Sequence, residues 1–372
     1  MTIGRGSGFS ALRRGEVAEA PGRQDPVREF YAGKQVLITG AAGTVGRAVA
    51  GLLSTFGPAE LRLMDNSESE MFFLMEECGK DARCLLGDVR DGDKLRNLSE
   101  DIDITVHCAA FKHVTLSEYS PFDAVQTNII GVENVIRAAK ACGVKHVLFT
   151  SSDKAVNPTS VMGTSKLMGE KLITAANASR ANGGPVFSST RFGNVIGSRG
   201  SVVPLFMKQI KGGGPVTLTD HRMTRFIMTP EEAAALVASS ASMARGGEVF
   251  VTKMPVVRIL DLAVVMIELL APRCGRDPRD IRIEEVGAKP GEKLYEELMS
   301  EEEARRSVET QEMFIIKPAF RSVYPAIDFD YAGSRPAEGR YVSGRQRPLE
   351  KNALKRYLAE NAVLERIEEP TL

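Results

Sequence analysis

The sequence predicts an α/β protein built on a doubly wound parallel sheet of seven strands, with a smaller α/β domain at the sheet's carboxyl edge. Short apolar runs alternate with helical patterns from Lys34 onward, and a glycine-rich turn follows the first of these runs. Alternating strands and helices indicate βαβ units, which form parallel sheets covered on both faces. Residues 197–229 and 255–330 alternate more weakly, which predicts a separate substrate-binding domain there.

The elements behind this prediction can be placed along the chain. The predicted strands are QVLIT (35–39), ELRLM (60–64), ARCLLG (82–87), ITVHCA (104–109), HVLFTS (146–151), VFSSTRF (186–192) and EVFVTK (248–253). The predicted helices cover 44–55, 67–78, 122–141, 161–181 and 230–245. Residues 1–33 are predicted to be a flexible arm, 34–196 with 230–254 the nucleotide-binding domain, and 331–372 a C-terminal tail with a helix.

The composition is that of an ordinary globular protein. Of the 372 residues, 48 are basic and 48 acidic, so no overall charge favours a nucleic acid or a membrane surface as partner. The five cysteines lack CxxC spacing, which predicts reduced thiols in a cytoplasmic protein and no metal site. No apolar run reaches the roughly 18 residues that a membrane span needs.

The turn TGAAGTVG (39–46) predicts a dinucleotide site. Gly40, Gly43 and Gly46 follow a strand and open a helix, with Thr44 and Val45 between the last two. Such a turn must be tight, admit a pyrophosphate to the backbone and present helix amides to it. The alternative, a purely structural turn, is disfavoured by this strand–turn–helix context.

The ends of the second and third predicted strands specify the cofactor further. Asp65 can accept both ribose hydroxyls of an adenosine and would repel a 2′-phosphate. Its neighbours Asn66 and Ser67 bring no arginine, so NAD is predicted rather than NADP. Asp88 is expected to bond the adenine amino group beside Val89, or else to start a turn.

The stretch SSDKAVNPTSVMGTSK (151–166) follows the fifth predicted strand and contains the candidate catalytic residues. Ser152, Asp153 and Lys154 reach the carboxyl edge of the sheet, where α/β sheets bind ligands. Met162 and Lys166 are one helical turn apart on one face. We therefore expect Lys154 and Lys166 to face a ligand rather than to be surface charges.

These motifs resemble those of the extended short-chain dehydrogenase/reductases, whose nucleotide-binding domain is a Rossmann sheet. The resemblance rests on TGxxGxxG, HxAAxKHV, SSDKAVNPTxVMGxSK, RFGNVxGSxGSV, MTRFxMT and KPGEKLYEEL and covers about residues 34–300. Within the superfamily the sequence is similar to UDP-N-acetylglucosamine 4,6-dehydratases of bacterial polysaccharide synthesis. Many members carry an N-terminal membrane domain, and this chain resembles only their soluble catalytic part.

The resemblance implies oxidation of sugar C4, loss of water across C5 and C6, and reduction at C6, with NAD as cofactor. Asp153 would be the acid and Lys154 the base. Burial would raise the pKa of the carboxyl and lower the pKa of the ammonium, although pairing of the two groups with each other would oppose both shifts. Typical relatives have tyrosine at position 162, and the thioether of Met162 cannot take a proton. Lys166, Asp153 or a water relayed through Ser152 remain as acceptors of the C4 hydroxyl proton.

Further candidates follow the fourth and sixth strands. Ala109 and Ala110 are small enough for a cofactor ribose to lie against the backbone. The resemblance places Lys112 and His113 beside cofactor and sugar. Glu118 is expected to bond sugar hydroxyls or to cap the helix near Pro121, and Asn128 to lie near the cofactor or to be a buried polar tie.

The remaining candidates would hold the anionic part of a UDP-sugar. Asn194 can hold a hydroxyl or a phosphate oxygen, and Ser201 and Val202 lie in a small-residue segment that admits an anion. Arg225 and Lys289 are expected to clamp the pyrophosphate, or else to form surface ion pairs.

Two alternatives to a dehydratase stay open at this point. One is a UDP-sugar 4-epimerase, or a dehydratase of another UDP-hexose, on the same scaffold. The other is a non-catalytic sensor that binds NAD(H). An epimerase needs no acid at C6, and a sensor needs neither the Asp153–Lys154 pair nor Lys166, so these residues favour dehydration. Pairing of subunits through helices 122–141 and 161–181, as is common in the superfamily, predicts a homo-oligomer.

Overall fold

The computed structural model describes residues 25–178, 183–198, 200–287, 291–320 and 327–368. The predicted arm therefore lies outside the described residues as far as residue 24, and so does the predicted substrate ligand Lys289. Residues Pro26–Tyr31, which were expected to be flexible, form a helix instead. Tyr31 is buried and its hydroxyl donates to the carbonyl of Ala238 at 3.3 Å, which docks this helix onto the main domain.

The strands are short and spread along the whole described chain. In chain order they are β1 (Gln35–Thr39), β2 (Glu60–Asp65), β3 (Arg83–Leu86), β4 (Ile104–His107), β5 (His146–Ser152), β6 (Val186–Phe192), β7 (Asn194–Val195), β8 (Val216–Leu218), β9 (Thr224–Met228), β10 (Val249–Thr252), β11 (Val256–Arg258), β12 (Ile283–Glu285), β13 (Glu297–Met299), β14 (Ser307–Glu309), β15 (Met313–Ile316), β16 (Arg335–Pro336) and β17 (Tyr341–Val342).

The helices fall between these strands. They are α1 (Pro26–Tyr31), α2 (Thr44–Ser54), α3 (Glu68–Cys78), α4 (Gly92–Leu98), α5 (Val114–Tyr119), α6 (Pro121–Val125), α7 (Gly131–Cys142), α8 (Val161–Ala176), α9 (Val202–Gly212), α10 (Pro230–Met243), α11 (Ile259–Leu270), α12 (Glu301–Ala304), α13 (Lys351–Glu360) and α14 (Val363–Glu368). A π-helical turn, Gln126–Ile130, joins α6 to α7, so the predicted helix 122–141 is continuous but irregular. None of the described helices combines the length and apolarity that crossing a membrane requires.

The predicted doubly wound parallel sheet is confirmed. Among the described residues, strands β10, β6, β5, β4, β1, β2 and β3 lie side by side in that order and pair in parallel. The chain reverses its direction of winding between β1 and β4. Loops that leave these two strands diverge, and such a point opens a ligand crevice at the carboxyl edge of the sheet.

The sheet is larger than predicted. Strands β15, β14 and β16 add to the β10 edge in antiparallel order, although residues 307–316 were expected in the smaller domain and 335–336 in the tail. The reason is that Met313–Ile316 is apolar and fully buried, so it covers the edge that β10 would otherwise expose to solvent.

Apolar residues on the two faces of the sheet pack into two clusters. Side chains alternate between faces along a strand, so Val36 and Ile38 belong to the cluster under α2 and α10, whereas Leu37 belongs to the cluster under α4, α7 and α8. The helices are thereby fixed against the sheet, and their N-termini are held at the carboxyl edge.

A third cluster forms a separate core. It joins α9, α11, β8 and the C-terminal helices α13 and α14, with Leu354 and Leu358 fully buried. The helix of the predicted tail is therefore packed against residues expected in the smaller domain. The exact division into two domains stays a prediction.

A buried ion triad links the sheet to two flanking segments. The Arg191 guanidinium on β6 donates to both oxygens of Glu170 on α8, at 2.9 and 2.7 Å, and to both oxygens of Glu303 on α12, at 2.9 and 2.7 Å. Burial favours the neutral acid of Glu303, but Arg191 outweighs it and lowers the pKa of Glu303 to about 2. The stabilisation is therefore complete above the ordinary pKa of a glutamate and is lost as the pH falls toward 2.

Arg191→Met is expected to lower the free energy of unfolding by about 3–5 kcal/mol, because it leaves two buried carboxylates without their cation. Urea denaturation followed by circular dichroism measures this loss. Arg279→Met is the matched control. It removes an ion pair whose arginine side chain is 89% exposed and is expected to leave the free energy of unfolding nearly unchanged. Equal losses in the two variants would contradict the role of the triad.

Candidate active site

A cavity of about 770 Å³ lies at the carboxyl ends of the parallel strands. It gathers residues from the turns after β1, β2, β3, β4, β5 and β6 and from α8. Of the residues singled out in the sequence, those that line it are Gly40, Gly43, Thr44, Val45, Gly46, Asp65, Asn66, Ser67, Asp88, Val89, Ala109, Ala110, Lys112, His113, Ser152, Lys154, Met162, Lys166, Asn194 and Ser201.

The glycine turn is built for close approach of backbone to backbone. Gly40 has φ +70°, and a Cβ there would meet the Ala109 amide nitrogen at 2.4 Å. A Cβ on Gly46 would meet the Gly40 carbonyl oxygen at 2.1 Å. Glycine is therefore required at both positions, and the turn leads straight into α2, whose first three residues line the cavity.

Asp65 is oriented by backbone amides at the end of β2. Its carboxylate accepts from Ala42 N and from Ser67 N, both at 3.1 Å. These contacts fix the side chain at the wall of the cavity, as a ribose-binding carboxylate requires. Arg62 on the same strand is turned away, since its guanidinium bonds Glu60 and the carbonyls of Leu98 and Glu100.

Asp88 forms an ion pair with an arginine that the sequence analysis did not single out. Arg90 donates to both carboxylate oxygens of Asp88, and Asn66 Nδ2 donates to it at 3.3 Å. The hydrogen bonds from Arg90 lower the pKa of Asp88 to about 2. The predicted bond from Asp88 to adenine stays a prediction, and any ligand there meets Arg90 as well.

Two polar residues that were candidates for ligand binding form hydrogen bonds within the protein instead. Asn128 is 1% exposed; its amide accepts from Phe111 N at 2.7 Å and donates to Phe111 O and Ser165 Oγ. It is thus the buried polar tie that was one of its two alternatives. Glu118 accepts from Val161 N at 2.8 Å, so it caps the start of α8 and not the helix at Pro121.

The segment after β5 brings an acid and an amine into direct contact. The strand ends in Ser152, and residues Asp153–Ala155 form one 3₁₀ turn. Ser152 Oγ donates to Asp153 Oδ1 at 2.7 Å, and Lys154 Nζ donates to the same oxygen at 3.0 Å. Asp153 is completely buried behind these two groups, whereas the Lys154 side chain is 27% exposed in the cavity.

The expected pKa shift of Lys154 is wrong. Burial disfavours its ammonium, but the carboxylates of Asp153 and Glu296 outweigh burial and raise the pKa of Lys154 above its ordinary value. Glu296 Oε1 lies 3.5 Å from Lys154 Nζ. The resting state is therefore an ion pair with the proton on Lys154, and not an acid beside a neutral amine.

Lys166 has the opposite electrostatic environment. It is buried on α8, donates to the carbonyl of Thr150 at 2.9 Å and lies 4.7 Å from the centre of the Phe149 ring. No carboxylate is within ion-pair distance among the described residues. Burial lowers the pKa of Lys166 to about 8, so about a tenth of the amine is neutral at pH 7 and about half at pH 8.

The start of α8 is packed tightly against the turn that carries Lys154. Ser160 caps the helix through Gly163 N at 3.1 Å, and a Cβ on Gly163 would meet the Lys154 carbonyl oxygen at 2.3 Å. Met162 lies between Ser160 and Gly163 in the chain, and it is 3% exposed. Because a thioether carries no proton, this wall of the cavity is closed to acid–base chemistry at position 162.

Two buried polar atoms on the other wall have no protein partner among the described residues. They are Asn194 Oδ1 and Ser201 Oγ, and both residues line the cavity. Buried polar atoms without a partner are costly, which makes them suited to a polar ligand. Val202 begins α9 and does not line the cavity.

Arg225 is not among the residues that line the cavity. It is 6% exposed and its guanidinium donates to the carbonyls of Thr224, Lys293 and Leu294. Its Nε lies 3.7 Å from Glu296 Oε1. Arg225 therefore holds the segment 291–297 in place, and its contact with a pyrophosphate stays a prediction.

One cluster of potential metal ligands lies outside the cavity. Asp220, His221 and Glu285 offer ligand atoms within 4.8 Å of one another. Arg222 already pairs with the Asp220 carboxylate, and His221 Nδ1 lies 2.8 Å from Glu285 Oε2. We assign no metal to this exposed cluster.

Comparison with known proteins places these features in a family. Residues 36–318 match the sequence profile of the family described as "Polysaccharide biosynthesis protein". The chain belongs to this family. Over 293 residues it is 47% identical to the uncharacterized membrane protein MJ1061 of Methanocaldococcus jannaschii, covering 78% of this chain and 88% of that one.

Other relatives of this chain carry functional names. A UDP-N-acetylglucosamine 4,6-dehydratase (inverting) of Campylobacter jejuni is 36% identical, over 85% of this chain and 94% of the relative. A UDP-glucose 4-epimerase of Rickettsia massiliae is also 36% identical, over 77% and 84%. The chain spans about half the length of the capsular polysaccharide protein CapD of Staphylococcus aureus, to which it is 40% identical over 78% of its own length.

Solved structures share the fold of this chain. Pen from Bacillus thuringiensis superposes with a TM-score of 0.83 at 41% identity, over 90% of this chain and 99% of Pen. The dTDP-glucose 4,6-dehydratase DesIV of Streptomyces venezuelae, solved with NAD and TYD bound, has a TM-score of 0.62 at 23% identity, over 70% and 86%. The second likeness supports the fold alone.

Proposed function

We propose that this family member catalyses the NAD-dependent 4,6-dehydration of UDP-N-acetylglucosamine to the UDP-4-keto-6-deoxy sugar, for bacterial glycan or polysaccharide synthesis. The observation that carries the proposal is the contact of Lys154 with buried Asp153 at the carboxyl edge of the sheet, in a cavity that Lys166, a lysine of lowered pKa, also lines. Elimination of water needs an acid and a base close together. Relatives that are named dehydratases support the substrate.

The residues of the cavity fit NAD. The glycine turn leaves no room for side chains where a pyrophosphate approaches, and the oriented Asp65 carboxylate suits ribose hydroxyls. Structures of the same fold hold NAD. When bound, NAD would supply the oxidation at C4 and the later reduction at C6. Ala109, Ala110 and Lys166 would border its ribose and nicotinamide.

The substrate would lie between the cofactor and the wall that carries Asn194 and Ser201. Their unpartnered oxygens can bond hydroxyl or phosphate groups of the sugar nucleotide. Lys112 and His113, on the loop after β4, border the same space. Lys112 and a protonated His113 would favour an anion, but burial together with the Lys112 charge lowers the pKa of His113, so His113 would act as a neutral donor or acceptor.

The elimination would use the Asp153–Lys154 pair with a shared proton. Transfer of one proton from Lys154 Nζ to Asp153 Oδ1 breaks an N–H bond, forms an O–H bond and leaves the net charge unchanged. The resulting amine takes the C5 proton. The resulting acid, which is behind Ser152, passes its proton through the Ser152 hydroxyl to the departing C6 hydroxyl.

The C4 hydroxyl proton would go to Lys166. Met162 cannot accept it, and Asp153 is fully buried and already bonded to Ser152 and Lys154. Lys166 lines the cavity, and its lowered pKa provides the neutral amine that a general base needs. A relay through Ser152 is the competing route.

The proposed reaction is tested by incubating the purified protein with UDP-N-acetylglucosamine and NAD. A product lighter by one water, with ultraviolet absorption under alkali, supports dehydration. A product of equal mass would show epimerisation, the activity named for the Rickettsia relatives. No conversion, with NAD still bound, would favour a non-catalytic NAD(H) sensor.

Location and assembly stay predictions. We propose a cytoplasmic homo-oligomer that pairs through the helices at 122–141 and 161–181. Phe122 is 84% exposed on α6, and Met168 is exposed on α8, which supports an apolar face there. Size-exclusion chromatography with light scattering measures the number of subunits.

Lys154→Ala is expected to reduce dehydration at least about 100-fold, because it removes the amine that takes the C5 proton. Mass spectrometry of the product and chromatography of the bound NAD are the measurements, and NAD content is expected to be unchanged. Lys171→Ala, an exposed lysine on α8, is the control and should retain full activity. Full activity in Lys154→Ala would remove Lys154 from the mechanism.

The rate of dehydration at low substrate is expected to rise with pH up to about 8, because Lys166 must be neutral to accept the C4 proton and its pKa is about 8. Lys166→Arg, which keeps the charge but cannot lose its proton, is expected to lose most activity while it retains NAD. A flat profile between pH 6 and 9, together with an active Lys166→Arg variant, would leave the Ser152 relay.

Asp65→Asn is expected to reduce the preference for NAD over NADP roughly tenfold or more, because a charge that repels the 2′-phosphate is removed. Calorimetric titration with each cofactor measures the two dissociation constants. Asp93→Asn, on α4 away from the cavity lining, is the control. An unchanged ratio in Asp65→Asn would place the discrimination elsewhere, with Arg90 as the next residue to replace.

A further inference from the structure

Glu296 is the second carboxylate at Lys154, and neither the sequence motifs nor the family comparison gave it a role. Its side chain is 3% exposed, and Oε1 lies 3.5 Å from Lys154 Nζ. We propose that Glu296 is a positioning residue that holds the Lys154 amine and sets how its proton is shared with Asp153. The inference rests on the proposed dehydration for its consequence in catalysis, but the contact itself can be tested without turnover.

The backbone fixes Glu296 in this position. Glu296 N donates to Ser343 Oγ at 3.0 Å, and Ser343 N donates to Glu296 O at 2.9 Å. Ser343 is fully buried and follows β17, which pairs with β13 immediately after Glu296. Because its backbone N–H and its carbonyl both bond to a segment distant in sequence, Glu296 is held in place independently of its own loop. A residue that positions another side chain must be held in this way.

The charges around Glu296 balance as a set. Lys154 and Arg225 supply two cations, the latter at 3.7 Å from Oε1, and Asp153 and Glu296 supply two carboxylates. Lys293 on the adjacent segment adds a further positive field, and Glu292 lies 4.0 Å from Arg225. Burial, with Asp153 adding to it, raises the pKa of Glu296, whereas Lys154, Arg225 and Lys293 oppose that rise.

One oxygen of each carboxyl is left without a partner. Asp153 Oδ2 and Glu296 Oε2 are buried and bond to nothing among the described residues. Unsatisfied buried carboxylate oxygens are costly, and protonation of a carboxyl relieves that cost. An ionised Glu296 favours the proton on Lys154, whereas a neutral Glu296 lets it move to Asp153, which is the form that elimination requires.

The first test reads the amine of Lys154 directly. Competitive acetylation with acetic anhydride across a range of pH, followed by mass spectrometry of the peptide that contains Lys154, reports its pKa. At the alkaline pH where Lys154 titrates Glu296 is ionised, so Glu296→Gln is expected to lower the pKa of Lys154 by about one to three units. Glu296→Asp keeps the charge and is expected to shift it less.

Glu297→Gln is the matched control. Glu297 is the next residue and is also buried, but its Oε2 accepts from Asn157 Nδ2 at 2.8 Å. It makes no ion pair with Lys154, so the Lys154 titration is expected to be unchanged. A Lys154 titration that is the same in Glu296→Gln and in the wild type would overturn the inference.

The second test measures catalysis. Glu296→Gln is expected to lower kcat about 10- to 100-fold with KM within about threefold, and to move the limb of the pH profile that Lys154 controls to lower pH. An unchanged kcat and pH profile would overturn the catalytic part. If the wild type does not convert UDP-N-acetylglucosamine, the proposed function fails, and the acetylation experiment still decides whether Glu296 holds Lys154.

Discussion

The contact between Lys154 and Asp153 is the interaction around which the rest of the site is arranged. An ionised carboxylate at zero exposure is costly unless it is paired, and its partners here are the side chains on either side of it in the chain. They can reach it because β5 ends at Ser152 and the chain turns into a 3₁₀ helix at the carboxyl edge. The parallel sheet thus determines where the Asp153 carboxyl is buried, and the turn after β5 brings Ser152 and Lys154 into contact with it.

Two lysines at this edge show how the surroundings determine a proton affinity. Lys154 faces two carboxylates and its pKa is raised; Lys166 faces an aromatic ring and a carbonyl, and burial lowers its pKa to about 8. A lysine side chain therefore keeps its proton more tightly at position 154 and loses it more readily at position 166. This division suits a reaction that removes one proton from a hydroxyl and a second from carbon.

The elements that could be predicted from sequence are those set by local patterns. The glycine turn, Asp65 and the parallel strands depend on residues close together in the chain, and the structure places all of them as expected. Arg225 and Glu118 were less predictable, because their partners, the carbonyl of Lys293 and the amide of Val161, are distant in sequence. Glu296 lay within a recognised motif, yet nothing in that motif indicates that it meets Lys154. Strands β14 and β15 were not predicted to join the main sheet, because short apolar runs do not reveal which edge they cover.

The buried triad of Arg191, Glu170 and Glu303 connects the groups that the chemistry would use. Glu170 lies one turn after Lys166 on α8, and Arg191 Nη1 also donates to the carbonyl of Leu298 at 3.0 Å. Leu298 is two residues from Glu296, so one arginine ties the helix that carries Lys166 to the segment that carries Glu296. Because a buried charge network tolerates little displacement without losing its hydrogen bonds, Arg191 on β6 fixes the helix of Lys166 relative to the segment of Glu296, although β6 carries no acid or base of its own into the proposed reaction.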